Sequence, residues 1–238
     1  MKKSILIFIF SLFTTCFSQT RDNSILKKIG IKKIEGKALT TSTSSSPANS
    51  IYYINDSGLV EKIITEIVSK DTSNFKNFKI IENYKYDSKN RKIYEETINN
   101  DKFYISEYLW KKPNSYTLNY SSIDTNYRCT VRFSEKTKPN KSSYCKYINN
   151  KLISKSTYNK IGNNFEFSYK DNYKLINGIE YRDSSNNLIK GEYQTRLLIN
   201  NFTYTSLEYY EYSSDNLLVR KTEYINNDTT ILTYKYLK

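Results

Sequence analysis

The sequence predicts an all-β protein: an antiparallel β-meander of repeated hairpins that forms an extended, twisted or partly rolled sheet. Short runs alternate between apolar and polar side chains, as in Phe165, Phe167 and Tyr169 with polar residues between them. This period of two is typical of strands with one face in water. Clusters of Asn, Asp, Ser and Gly separate the runs, and they suit tight turns because Asn and Asp tolerate positive φ.

A repeated unit organises most of the chain: an aromatic strand, a polar turn, and a strand with Leu, Ile or Val soon after the turn. Its clearest copies are residues 180–193 (EYRDSSNNLIKGEY) and 211–224 (EYSSDNLLVRKTEY). The tyrosines before the turns are Tyr53, Tyr86, Tyr120, Tyr147, Tyr181 and Tyr212, at spacings of 33, 34, 27, 34 and 31 residues. A regular period of about 20 to 50 residues indicates a repeat array. Each period has room for one hairpin and no room for the long crossovers that parallel strands need.

Residues 1–18 have the pattern of a secretory signal peptide. Lys2 and Lys3 are positive, residues 5–13 are apolar, and a Cys-Phe-Ser segment ends the pattern. The apolar run is shorter than the roughly 20 residues of a membrane-spanning helix, so we predict no integral membrane span in the mature chain. We predict an exported protein, extracellular, periplasmic or on the outer surface. A lipoprotein with Cys16 as the lipid-bearing residue is an alternative, although the residues before Cys16 fit that pattern poorly.

The mature chain is predicted to have two parts. Residues 19–50 form an N-terminal lead-in that ends in a Ser/Thr-rich loop, and residues 51–238 form the β-repeat domain. The lead-in could contain a short helix or, over residues 31–39, the first strand. Residues 40–50 (TTSTSSSPANS) are too polar to pack and predict a flexible loop.

Cys129 and Cys145, the cysteines that follow the signal peptide, are predicted to form a disulfide. An even pair of cysteines in an exported protein favours a bridge. If the chain reverses near residue 137, strand alternation places the two opposite each other across a hairpin. The bridge would close a loop of 15 residues, worth about 3 kcal/mol in the chain-entropy model. Two buried free thiols are the alternative.

Residues 86–93 (YDSKNRKI) resemble the YD repeat of Rhs-type bacterial surface proteins, whose core is Tyr-Asp-x-x-Gly-Arg-Leu. Asn90 stands where that family has Gly, and Ile93 falls one position after its Leu. Residues 55–60 (NDSGLV) match the turn half with the Gly in place. The resemblance is degenerate and extends over residues 51–238. It implies a secreted strand–turn–strand array, with glycan contact or a shell-like wrapping role, and no catalytic residue.

The residue types exclude most catalytic sites, so we predict a protein that is not an enzyme and has no cofactor. The chain has no His, which removes Ser-His and Cys-His nucleophile pairs and the common His-based metal sites. Its six Gly form no phosphate-binding loop. Four glutamates beside the repeat tyrosines could align as a glycosidase-like pair or a calcium site, or could pair with Lys and Arg on an exposed face. They are Glu180, Glu192, Glu211 and Glu223.

The composition favours binding over catalysis. A sheet that displays Tyr, Asn and Lys could stack on sugar rings, and a formal net charge of +13 with many aromatics also suits polyanions. We predict a protein that binds a glycan or a protein partner at the cell envelope. A structural or assembly component of the envelope and a polyanion-binding surface protein are the alternatives. The predicted contact residues are Trp110, Tyr181, Tyr193, Tyr212 and Tyr224.

Overall fold

A computed structural model describes residues 23–41, 46–68, 78–100, 102–122 and 126–238. The predicted signal peptide, residues 1–18, lies outside these ranges. Within them, a helix α1 (Asn23–Ile29) precedes sixteen strands. The strands are β1 Lys33–Thr40, β2 Ala48–Ile54, β3 Val60–Ile67, β4 Phe78–Tyr86, β5 Lys92–Asn99, β6 Lys102–Lys112, β7 Ser115–Ser122, β8 Asn126–Lys138, β9 Lys141–Ile148, β10 Lys151–Ile161, β11 Asn164–Lys170, β12 Lys174–Arg182, β13 Leu188–Leu197, β14 Thr203–Tyr212, β15 Leu218–Ile225 and β16 Asp228–Leu237.

The strands form a meander whose order closes on itself. Each strand lies beside its neighbours in sequence, and β1 pairs with β16, which makes a closed barrel. The closing pair is antiparallel, with Ile34 opposite Tyr236 and Ala38 opposite Leu232. The predicted all-β antiparallel meander is therefore confirmed. Closure into a barrel is a more specific arrangement than the partly rolled sheet that the sequence predicted.

The predicted lead-in supplies the strand that closes the barrel. Residues of the lead-in form α1, whose Leu26 is buried, and then β1. The Ser/Thr-rich loop is shorter than predicted, because Thr40 still belongs to β1 and β2 begins at Ala48. Residues 42–45 of that loop lie outside the described ranges.

The chain divides into two compact units. The first comprises Met1–Phe103, Tyr212–Lys221 and Asp228–Lys238. In both units we call the strand face with buried side chains the covered face and the opposite one the open face. The covered face of the first unit includes Ile34, Ala38, Ala48, Tyr52, Ile67, Ile80, Leu232 and Tyr234. Its open face carries both charged and apolar side chains. Alternation along β1 places Lys33, Glu35 and Lys37 there, and the register aligns Ile51, Ile64, Ile81 and Ile98 across β2 to β5.

The second unit comprises Tyr104–Glu211 and Thr222–Asn227. A small apolar cluster of Tyr116, Cys129 and Val131 lies on its covered face, with Trp110 packed against it. Farther along the meander the same face is polar: Glu180, Thr195, Glu208 and Tyr210 are all buried there. Buried polar groups need partners, so this part of the unit depends on hydrogen bonds as well as on apolar packing.

One turn type recurs at four of the six predicted repeat positions. The backbone N–H of the first turn residue donates to the carbonyl four residues on, at 2.8 to 3.0 Å. The fourth residue has a positive φ: 78° at Gly58, 60° at Asn90, 63° at Asn186 and 58° at Asn216. The first residues are Asn55, Asp87, Asp183 and Ser213, and each side-chain oxygen accepts a hydrogen bond from the backbone N–H four residues later. The repeat is therefore a repeated hairpin turn.

The predicted disulfide between Cys129 and Cys145 is contradicted, since both residues are free thiols. The β8–β9 hairpin reverses at Pro139 and Asn140, with Lys138 opposite Lys141. This register places Cys145 opposite Ser134. Ser134 is an odd number of residues from Cys129 on β8, so alternation places these two side chains on opposite faces of the sheet. Cys145 shares the face of its partner Ser134, and it therefore lies on the opposite face from Cys129.

Candidate functional site

Four side chains form a row across the open face of the second unit. The register places Tyr181 of β12 opposite Lys190 of β13, and Lys190 opposite Tyr209 of β14. The Lys190 ammonium lies 5.2 Å from the Tyr181 ring centroid and 5.9 Å from that of Tyr209. The Tyr209 ring meets Tyr224 of β15 edge to face, with centroids 6.2 Å apart. We call Tyr181, Lys190, Tyr209 and Tyr224 the tyrosine–lysine row.

An ion pair on the same face holds the row. Lys190 Nζ lies 2.6 Å from Glu192 Oε1, and the Tyr181 hydroxyl donates to Glu192 Oε2 at 3.4 Å. The hydrogen bond from Lys190 lowers the pKa of Glu192, and the same bond raises the pKa of Lys190. The row is thus electrically neutral near Lys190. Two tyrosines of the row are exposed to solvent, Tyr209 at 40% and Tyr224 at 42%.

A polar cleft of about 400 Å³ lies farther along the same strands. The backbone register pairs Asn177 with Gln194 and Leu175 with Arg196, and then Arg196 with Thr203. Arg196 Nη2 donates to Asn201 Oδ1 at 2.9 Å. The lining residues are Leu175, Asn177, Gln194, Arg196, Asn201 and Thr203. Amide, hydroxyl and guanidinium groups thus surround the cleft, and they supply both donors and acceptors.

The covered face behind the row holds a cluster of buried carboxylates and tyrosines. Arg182 Nη2 donates to Glu180 Oε2 at 2.8 Å, and the Tyr193 hydroxyl donates to Glu180 Oε1 at 3.4 Å. The Tyr210 hydroxyl donates to Glu208. Burial raises the pKa of Glu180, and the Arg182 charge opposes that rise. Burial also raises the pKa of Tyr193, and the charges of Glu208 and Glu180 raise it further.

The two carboxylates of this cluster are buried on the covered face of the sheet. Glu180 and Glu208 both stand beside Gly191 in the register, but they are only 2% and 9% exposed. The predicted carboxylate row does not form, because Glu180 and Glu223 are buried whereas Glu192 lies on the open face beside Lys190. No group of three or more metal-ligating side chains occurs within the described ranges.

The structure separates the five predicted contact residues. Tyr181 and Tyr224 belong to the tyrosine–lysine row. Tyr193 lies on the covered face beside Glu180, and Tyr212, the last residue of β14, is half-buried. The Trp110 ring packs on Tyr116 with centroids 4.8 Å apart, so it belongs to the apolar cluster of the covered face.

Sequence reasoning missed Lys190, Tyr209 and the cleft residues. Tyr209 stands between Glu208 and Tyr210, and alternation alone shows that it faces away from both. Its neighbour Lys190, however, depends on the β13–β14 register. A shift of one residue in that register would move every side chain of one strand to the other face, and the sequence does not state the register.

No model of a known protein family matches the chain, and no curated protein matches its sequence. A solved structure, that of a porin-like protein from Bacteroides uniformis ATCC 8492, is similar over 87% of this chain and 98% of its own, with a TM-score of 0.56 and 12% identity. At this identity the likeness shows the barrel fold alone. No described helix is long and apolar enough to cross a membrane.

Proposed function

We propose that the protein is an exported, non-enzymatic barrel of the cell envelope that binds a glycan on the open face of β12–β15. The observation that carries this proposal is the tyrosine–lysine row. It presents three tyrosines on one face, two of them with about two fifths of their surface exposed. Exposed tyrosine rings in one row can contact a series of sugar rings through a ring face or a ring edge.

The spacing of the row suits an extended ligand. Tyr181 and Tyr209 stand two strands apart, about 10 Å at the usual strand spacing of nearly 5 Å. The cleft continues the same face, and its Asn177 and Gln194 amides can each donate to and accept from sugar hydroxyls. Stacking in the row and hydrogen bonding in the cleft would together hold an oligosaccharide along β12–β14.

The proposed absence of catalysis follows from the chemistry of the open face. The chain contains no His, and Glu82 and Glu180, whose pKa values are raised by burial, lie on the covered face. A glycosidase needs two carboxyl groups that reach the same bond. The carboxylate beside the row, Glu192, is instead paired with Lys190 at 2.6 Å.

The envelope location is supported by the amino-terminal pattern of residues 1–18 and by the likeness to a porin-like barrel. Within the envelope we place the protein in water. A barrel that crosses a membrane carries an apolar band on its outward face. Here the open face has charges within the strands, at Lys37, Arg128 and Glu166, and the covered face buries Glu82 and Glu180. These charged side chains within the strands are the support for placing the protein in water.

A glycan array, probed with the mature chain at low and high salt, tests the proposal. Stacking on sugars predicts binding that changes little with salt, whereas a polyanion binder would lose affinity steeply. The double variant Tyr209→Ala/Tyr224→Ala is expected to weaken binding at least about tenfold, which corresponds to 1.4 kcal/mol. Tyr127→Ala is the matched control, because Tyr127 is 47% exposed and lies outside the row.

Three results would contradict the proposal. The absence of binding to every glycan at both salt concentrations would favour the structural or assembly role. Binding that disappears at high salt would favour the polyanion role. Equal losses in the double variant and in Tyr127→Ala would show that the row is not the site. Thermal unfolding of each variant checks that the barrel remains folded.

A further inference from the structure

The cleft beside the tyrosine–lysine row carries a single charged side chain, Arg196. Its other lining residues are Leu175, Asn177, Gln194, Asn201 and Thr203, none of which is ionisable. The cleft is therefore a locally cationic surface with neutral hydrogen-bonding groups around the charge. Such a surface favours an anionic group on the ligand.

Arg196 differs from Arg91 and Arg182 in how its charge is balanced. Arg91 lies 2.6 Å from Asp87, and Arg182 lies 2.8 Å from Glu180. Arg196 makes no ion pair with any residue that the structure describes, and it donates a hydrogen bond to the neutral side-chain oxygen of Asn201 at 2.9 Å. A guanidinium has five N–H donors, so donors remain for a ligand.

The turn that follows β13 positions Arg196. The Leu197 N–H donates to the Phe202 carbonyl at 2.8 Å, and the Leu198 N–H donates to the Tyr173 carbonyl at 2.7 Å. Asn201 has a φ of 57° within this turn. These backbone bonds hold Asn201, whose side chain in turn holds the guanidinium. A preorganised arginine loses less conformational freedom when it binds a carboxylate in two-point geometry.

We infer that the cleft binds the carboxylate of an acidic, uronic-acid-type saccharide through Arg196. This inference rests on the proposed glycan-binding function and names its ligand class. The row is neutral at Lys190 because Glu192 balances it at 2.6 Å, so neutral sugar faces suit the row and a charged sugar suits the cleft. Lys190 and Arg196 stand six residues apart on β13, about 20 Å, so one ligand that contacts both is an oligosaccharide.

A charge-matched ligand pair tests the inference. The mature chain is titrated at constant ionic strength with a galacturonic acid hexamer and with its fully methyl-esterified form, which keeps the sugar stereochemistry and removes the charges. We expect the acid form to bind at least about tenfold more tightly. Arg196→Gln should remove that advantage, so that the acid and the ester bind with equal affinity. Arg128→Gln, which removes an exposed arginine of β8 on the open face, should change neither affinity.

The outcomes separate this inference from the function on which it rests. Equal binding of acid and ester, unaffected by Arg196→Gln but weakened in Tyr209→Ala/Tyr224→Ala, overturns the acidic specificity and leaves glycan binding intact. Equal losses in Arg196→Gln and Arg128→Gln indicate diffuse charge attraction and overturn the assigned site. Binding of neither form, together with silence on the glycan array, overturns both proposals. Thermal unfolding of the three variants that matches that of the parent establishes that each variant is folded.

Discussion

The ring of Tyr193 lies directly over Gly191, two residues earlier on β13. A Cβ atom at Gly191 would come within 2.4 Å of Tyr193 Cε2 and 2.5 Å of its hydroxyl oxygen. On β12, a Cβ at Gly178 would come within 2.5 Å of Tyr193 Cδ1. The two glycines leave the space in which the ring lies flat across the sheet, and in this position its hydroxyl reaches Glu180 at 3.4 Å.

Substitution of either glycine is therefore expected to destabilise the second unit. Gly191→Ala must displace a mostly buried ring, and the Cβ of Gly178→Ala would also lie 2.3 Å from the Glu192 carbonyl oxygen. We expect each to lower the free energy of unfolding by about 1–3 kcal/mol, the usual range for overpacking, with Gly178→Ala the larger. Urea unfolding measures the change.

The control for these substitutions is Gly36→Ala in β1. A Cβ there would meet Tyr52 at 3.4 Å and Tyr234 at 3.5 Å, which is ordinary contact. Because the alanine fits and restricts the unfolded chain, it should leave stability unchanged or raise it by about 0.4–1 kcal/mol. A loss at Gly36 equal to that at Gly191 would show that the Tyr193 ring is not the cause.

Glu82, buried on the covered face of the first unit, should make stability depend on pH. Burial raises its pKa above the ordinary value of 4.5, and the hydrogen bond with Tyr84 opposes the rise. A carboxyl with a raised folded-state pKa stabilises the fold below the unfolded pKa, and this contribution is lost as pH rises through the folded pKa. Glu82→Gln stays neutral, so its stability relative to the parent should increase as pH rises above 4.5.

Urea unfolding of both proteins at a series of pH values measures that difference. Glu66→Gln is the control, because Glu66 is exposed and its ion pair with Lys79 at 3.3 Å is exposed as well. Exposed pairs contribute little, so the control should follow the parent at every pH. A difference between Glu82→Gln and the parent that is constant with pH would contradict the assignment.

The recurring turn predicts that two substitutions of Asn186, whose φ is 63°, will differ in their effect on stability. Asn186→Ala should lower the free energy of unfolding by roughly 1–2 kcal/mol, because a Cβ-bearing aliphatic residue is strained in this left-handed region. Asn186→Gly should be near neutral, since glycine adopts positive φ without that strain. Thermal unfolding of both variants checks the contrast, and equal effects would contradict the turn geometry.

The free cysteines give a chemical test of the β8–β9 register. Cys129 is buried and Cys145 is half-buried. Iodoacetamide should therefore modify Cys145 in the folded protein and Cys129 only after unfolding, without any reductant. Intact-mass measurement of the mature chain reports the number of modified thiols. Cysteines that react with iodoacetamide only after reduction would instead show that the two residues form a disulfide.

Local chemistry determined the fold class. Alternating side chains, Asn- and Gly-containing turns and a regular spacing of about 32 residues specify antiparallel hairpins whatever their surroundings. The turns at Asp87 and Asp183 show why, because each side chain satisfies backbone N–H groups within four residues of itself. No distant part of the chain is needed for such a turn.

The tertiary structure decided closure, faces and the site, because each depends on pairing between distant residues. Ile34 meets Tyr236 only when the chain ends come together. The register of β8 with β9 placed Cys129 and Cys145 on opposite faces, and the registers of β12 to β14 brought Tyr181, Lys190 and Tyr209 into one row. A shift of one residue exchanges the two faces of a strand. The sequence thus predicts which residues form strands, whereas the register of the assembled sheet decides which side chains become neighbours across strands.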